Sequence, residues 1–267
     1  IDDLVDVAAS VAVAVRDATT ALVAADDWAD VEDGDLSPDD VFRIPLYQLN
    51  RKAEGGFLNE DTGETVREID AVLMAKVNTR AWWPQLFGKG DEAPSCRSDD
   101  GVTANIDRSP ALVEGWEMPK KDLRGAPEIP TGTCATCPNS QWDGDDPPVC
   151  GEAMEFLAFV PTIVGAGRFV RLRFSGMGFG PARDYWQSFK TRLPKRVPIS
   201  VVTHIALDEK DTPNGTFLVP HFTRARELTL EFAQPVIAAR SENLPKWREQ
   251  LSSDNRPTDV IDVEAVA

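Results

Sequence analysis

Ile69-Asp70-Ala71-Val72-Leu73-Met74-Ala75-Lys76-Val77-Asn78-Thr79-Arg80-Ala81-Trp82-Trp83 reads as one long β-strand, closed by Pro84. Successive side chains of a strand point to opposite faces. Leu73, Ala75, Val77 and Ala81 therefore share one face, and Lys76, Asn78, Arg80 and Trp82 share the other. The first face is core material; the second is basic and aromatic. Upstream, Gly55-Gly56-Phe57 and Asp61-Thr62-Gly63-Glu64 supply the turn chemistry of a β-meander. Downstream, residues 154–163 form a continuous apolar run expected as a buried strand, and Gly165-Ala166-Gly167 turns the chain. Residues 168–174 alternate again, with Val170, Leu172 and Phe174 expected inward and Phe169, Arg171 and Arg173 outward. Ala182, Tyr185, Trp186, Phe189 and Leu193 recur at helical spacing between Pro181 and Pro194. Residues 199–207 and 216–222 flank Asp211-Thr212-Pro213-Asn214-Gly215 and predict a hairpin, followed by a helix over 224–240 interrupted at Pro235. The fold class expected is mostly β with a few helices, α+β.

Charge divides the chain further. Of the formal −16, residues 1–42 contribute 12 acids against one base, and residues 241–267 contribute six acids against three bases. The acidity therefore sits mostly in the arms. Residues 164–199 carry eight Lys or Arg against Asp184 alone, a local +7. Leu4, Val7, Val11 and Val15 mark a helical stripe, but Asp6, Arg16 and Asp17 interrupt it and argue against a membrane span. The organisation expected is an acidic helix and linker at 1–42, a body at 43–240 with a metal loop at 94–151, and a polar, acidic tail at 241–267. With no signal peptide visible, the expected compartment is the cytoplasm. The missing initiator Met sets the expectation of a longer precursor.

All four cysteines lie between residues 96 and 150. Cys134 and Cys137 have the C-x2-C spacing with which one tight turn presents two thiolates to a tetrahedral Zn²⁺. Cys96 and Cys150 complete a set of four, read as one structural zinc site. Gly, Pro, Asp and Ser crowd the residues between, so a metal would give this loop its shape. Two disulfides or free buried thiols are the alternatives. His204 and His221 lie far downstream, which disfavours a catalytic zinc.

Binding a single strand without reading its sequence needs cations for phosphates and exposed rings for bases. Lys76, Arg80 and Trp82 on one strand and Phe169, Arg171 and Arg173 on another combine both, and Lys190, Arg192, Lys195 and Arg196 extend the positive track. The segment sequence contains no P-loop, nucleophile elbow, zinc-deaminase or dinucleotide signature, and no enzyme activity is expected.

The order of motifs resembles a group of phage and prophage replication-associated proteins. Arg80, Trp82 and Trp83 form an R-x-W-W-like strand end, and Pro94, Cys96, Ser98, Asp100 and Gly101 a P-x-C-x-S-x-D-G element. Cys134, Cys137, Pro138 and Trp142 follow as C-x2-C-P-x3-W, then Cys150, an aromatic helix and Val201-Val202-Thr203. The likeness spans about residues 43–223. It implies an OB-like barrel with an inserted zinc loop, binding single-stranded DNA beside replication or recombination proteins. The acidic N-terminal arm lies outside it. The competing expectation is a non-catalytic adaptor that binds proteins through its zinc loop and acidic arms, for which a basic and aromatic strand face would be superfluous.

Overall fold

The computed structural model describes residues 44–49, 55–59, 62–83, 94–118, 128–144, 148–160, 168–191, 197–213 and 215–253. The expected N-terminal helix and linker, the end of the tail, and Arg192, Lys195 and Arg196 lie outside them. The elements are β1 (Leu46–Leu49), β2 (Phe57–Asn59), β3 (Thr65–Val66), β4 (Glu68–Trp82), β5 (Cys96–Ser98), β6 (Cys150–Val160) and β7 (Arg168–Ser175), then α1 (Phe179–Thr191), β8 (Val201–Thr212), β9 (Gly215–Glu227) and α2 (Leu230–Ser253). The described residues are mostly strand with two α-helices, as the patterning predicts. The sheet runs β3-β2-β1-β7-β6-β4-β8-β9, with β5 added against β4.

The described residues divide into two compact units, each made of separate stretches. Among the described residues, one draws on those within 44–76, 156–173 and 181–250, and the other on those within 77–155, 174–180 and 251–253.

In the first unit β4 pairs antiparallel with β8 through Glu68↔Ala206 to Val72↔Val202. The hairpin of β8 and β9 keeps its pairing from Val201↔Glu227 to Thr212↔Gly215. β8 starts two residues later than the apolar pattern implies but runs on to Thr212, and β9 runs on to Glu227, because the added residues are mostly polar and carry no burial signal. Helix α1 packs on this hairpin. Its Ala182, Tyr185 and Phe189 are buried. The Tyr185 ring stacks on Phe222 at 5.2 Å, and its hydroxyl lies 2.9 Å from Thr203 Oγ1. Trp186 tilts onto Phe156 at 5.5 Å, so α1 spends its rings on packing.

Two expectations change here. Helix α2 starts at Leu230 and continues to Ser253 across both Pro235 and Pro245, taking up residues read as tail. Ala233, Val236, Ala239 and Trp247 form its buried stripe, and Arg240 Nε donates to the Met74 carbonyl at 2.8 Å. Packing of that stripe outweighs two proline breaks. The second change is β7, whose odd positions do not face solvent. Phe169 is 7% exposed, Arg171 1% and Arg173 4%. β7 lies inside the sheet between β1 and β6, and a strand covered on both faces buries every position. The Phe169 ring sits 5.5 Å from Phe159.

Phe156, fully buried beneath Trp186, tests this packing. Phe156→Ala is expected to lower the unfolding free energy by about 3–5 kcal/mol, measured by denaturant titration; a loss under about 1 kcal/mol would show that the site is not a packed core.

Candidate metal centre

The second unit is built against the end of β4. β5 pairs with it through Arg80↔Ser98, Ala81↔Arg97 and Trp82↔Cys96. Directly opposed residues point to the same face, so Cys96 stands beside Trp82, and Arg80 is one pleat away. Trp82 is 1% exposed. Its ring meets Trp116 edge to face at 5.8 Å, and it shares a core cluster with Ala111 and Cys150. Trp82 is therefore the floor of this module and is closed to a stacked base, contrary to its sequence-based role.

Little apolar material supports the loops above that floor, and a polar scaffold positions them. Asp100 Oδ1 accepts from Ser98 Oγ at 2.9 Å and from the N–H groups of Val102 and Thr103 at 2.7 and 2.8 Å. Burial works to raise the Asp100 pKa, but these N–H and O–H donors outweigh it and hold the carboxyl below its ordinary value. Gly101, at φ +74, has only 3.0 Å of room before the Asn78 side chain, which suits glycine alone. Arg97 is 5% exposed. Its Nε donates to Asp99 at 2.6 Å and its Nη2 to the Leu251 carbonyl at 2.7 Å. Arg97 and the two aspartates are thus loop architecture.

The C-x2-C turn hangs on this scaffold. Cys134 N–H donates to the Val102 carbonyl at 2.9 Å and Ala104 N–H to Gly132 at 2.8 Å, around a Thr103↔Thr133 bridge. Gly132 takes φ +84, the left-handed conformation that lets the chain reverse into the turn. Ser140 Oγ donates to the carbonyls of both Cys134 and Cys137. The Asn139 side chain exchanges two hydrogen bonds with the Glu128 backbone.

Cys96, Cys134, Cys137 and Cys150 line one cavity together with Trp82 and Ala104. None forms a disulfide. The thiols share the cavity without converging on a point: among the described residues no three His, Cys, Asp or Glu side chains stand close enough to hold a metal. Burial pushes the Cys96 thiol up to about 11. It also raises Cys134 and Cys150, with the nearby Arg80 charge opposing the rise at both. Orphaned donors sit on the β4 face that lines this cavity through Trp82. Trp82 Nε1 and the Arg80 Nε and Nη1 are buried without an acceptor among the described residues. Four soft thiols beside donors that lack acceptors suit an anionic metal–thiolate group.

The remaining nucleic-acid candidates do not join into the expected face. Arg80 is drawn into an ion pair with Glu152 at 3.1 Å, Lys76 is half-buried, and Phe169, Arg171 and Arg173 are buried. Among the described candidates, Lys190 is the one that is exposed. Sequence reasoning missed Trp116 as the partner of Trp82 and missed Trp142, which is 67% exposed, as an available ring. Its place in the C-P-x3-W motif was the usable signal. Comparison with protein-family models, curated proteins and solved structures returns no match.

A depressed carboxylate stabilises the fold above its unfolded pKa of about 3.9, and that contribution is lost as pH falls through the folded value. Asp100→Asn is accordingly expected to flatten the acid limb of the stability curve below about pH 4, read by thermal melts across pH. An unchanged acid limb would remove Asp100 from its bracing role.

Proposed function

We propose that this chain is a zinc-stabilised, non-catalytic protein that binds single-stranded DNA through the phosphate backbone, on an OB-like body, in a phage-type replication or recombination system. The observation that carries the reading is the location of positive charge. Taking the buried Arg171 and Arg173 from the eight Lys and Arg of residues 164–199 leaves six against Asp184, a local +5 in a chain of −16. Lys190 is exposed near the end of α1, and Arg192, Lys195 and Arg196 follow it in sequence. Stacking falls to Trp142, the one exposed tryptophan among the described residues. Cys96, Cys134, Cys137 and Cys150 would hold one Zn²⁺, which supplies a four-armed cross-link to a segment short of apolar core.

Elemental analysis is expected to find one zinc per chain, and Cys137→Ser to lose it together with the fold of the module. A metal-free native chain would sink the zinc part.

For the nucleic-acid part, oligo-dT is titrated at several salt concentrations while tryptophan fluorescence is followed. Lys190→Ala with Arg192→Ala is expected to reduce the slope of log affinity against log salt by about 1.4, from roughly 0.7 per phosphate contact. Trp142→Ala is expected to cost about 1–3 kcal/mol. Absence of binding at low salt would overturn the DNA reading.

The adaptor reading is favoured by a separate observation. Five of the eight exposed large apolar side chains among the described residues, Val102, Ile106, Val113, Ile129 and Trp142, belong to the cysteine module. Exposed apolar groups concentrated on one element are what a protein partner buries. Chains that retain zinc yet ignore oligo-dT would favour this second reading.

A further inference from the structure

Arg80 carries a charge into the buried neighbourhood of the cysteines, and the structure accounts for only one of its three nitrogens. Nη2 meets Glu152 Oε2 at 3.1 Å, where the Arg80 side chain is 17% exposed and that of Glu152 30%. Nε and Nη1 are buried with no acceptor among the described residues. A guanidinium is a rigid fork with five N–H donors, so pinning one nitrogen fixes where the others aim. β4 puts Arg80 on the same face as Trp82, which lines the thiol cavity, and β6 puts Glu152 on the same face as Cys150. Burial raises the Cys134 and Cys150 thiols, and the Arg80 charge opposes that rise. Leaving donors of a charged group buried without acceptors is costly, and a thiolate in the cavity that Trp82 lines is an acceptor able to use them.

We infer that Arg80 is a positioning residue for the metal–thiolate centre, its Nε and Nη1 groups donating hydrogen bonds to the sulfurs of Cys134 and Cys150 once those thiols have lost their protons to metal binding. This rests on the zinc reading above. In that role Glu152 orients the guanidinium from the solvent side, and Arg80 offsets part of the negative charge that four thiolates leave on a bound dication. Hydrogen bonds of this kind tune metal centres as much as the ligands themselves. A purely structural Arg80 would hold β4 and β6 together through Glu152 and leave the electronic character of the sulfurs untouched.

The test uses the full chain, as wild type, Arg80→Gln and Arg80→Lys. Zinc affinity is measured by chelator competition, and the absorption spectrum is recorded after substitution with cobalt(II). Wild type is expected to take one metal. Arg80→Gln is expected to bind zinc about 10- to 100-fold more weakly, with the sulfur-to-cobalt charge-transfer band moved to lower energy and the tetrahedral ligand-field bands kept. Arg80→Lys keeps the ion pair to Glu152 but not the fork, and it decides the matter if Arg80→Gln does not fold; its expected change has the same direction and is smaller. Variants that match wild type in both affinity and band position would overturn the role of Arg80 while leaving the zinc site standing. A wild-type chain that takes up neither metal would overturn the zinc reading itself.

Discussion

The cysteine-bearing unit depends on the indole of Trp82. Between residues 94 and 150 the chain is rich in Gly, Pro, Asp and Ser, and such a stretch cannot repay the entropy of ordering from burial of its own side chains. Trp82 supplies a ready-made apolar platform at the end of a strand, on which Ala111, Trp116, Met118 and Cys150 settle. Because Cys96 is its cross-strand neighbour and Cys150 packs on it, the same platform brings two distant thiols within one cavity.

Everything above the platform is then arranged by hydrogen bonds that each answer a specific need. Asp100 gathers three donors of the reversing chain. Ser140 caps the carbonyls of the C-x2-C turn. Arg97 links the loop to the last residues of α2 through the Leu251 carbonyl, where a helix end has carbonyls to spare. A scaffold made this way is well directed but thin. A metal bound to the four thiols would add covalent-strength connections between segments that otherwise share one small apolar platform and polar contacts.

Buried charge is the other constraint on this chain. Glu155, Arg171 and Arg173 are each less than 5% exposed, an expensive choice for ionic groups in any sheet. It withdraws two cations from the surface and changes what the local positive charge can do. Of the cations read as nucleic-acid contacts, Lys190 on α1 is the one that is exposed among the described residues.

Much of this architecture was legible. Period-two alternation located β4 and β7, the Pro181 and Pro194 brackets located α1, and cysteine spacing singled out the residues that share the cavity. Less was visible where a single residue serves two masters, as with Trp82, whose alternation parity marks it outward although its neighbours cover it, or Pro235 and Pro245, which local rules read as breaks. By itself the sequence determined the strands, the hairpin, the grouping of the thiols and the placement of charge along the chain, because each is a matter of local period or composition. Tertiary structure alone decided which strand faces meet water. That depends on the strands lying to either side and on what covers them, and a strand's own pattern of residues holds no record of its neighbours; Arg171 and Arg173, written as a solvent face, lie within the sheet for that reason.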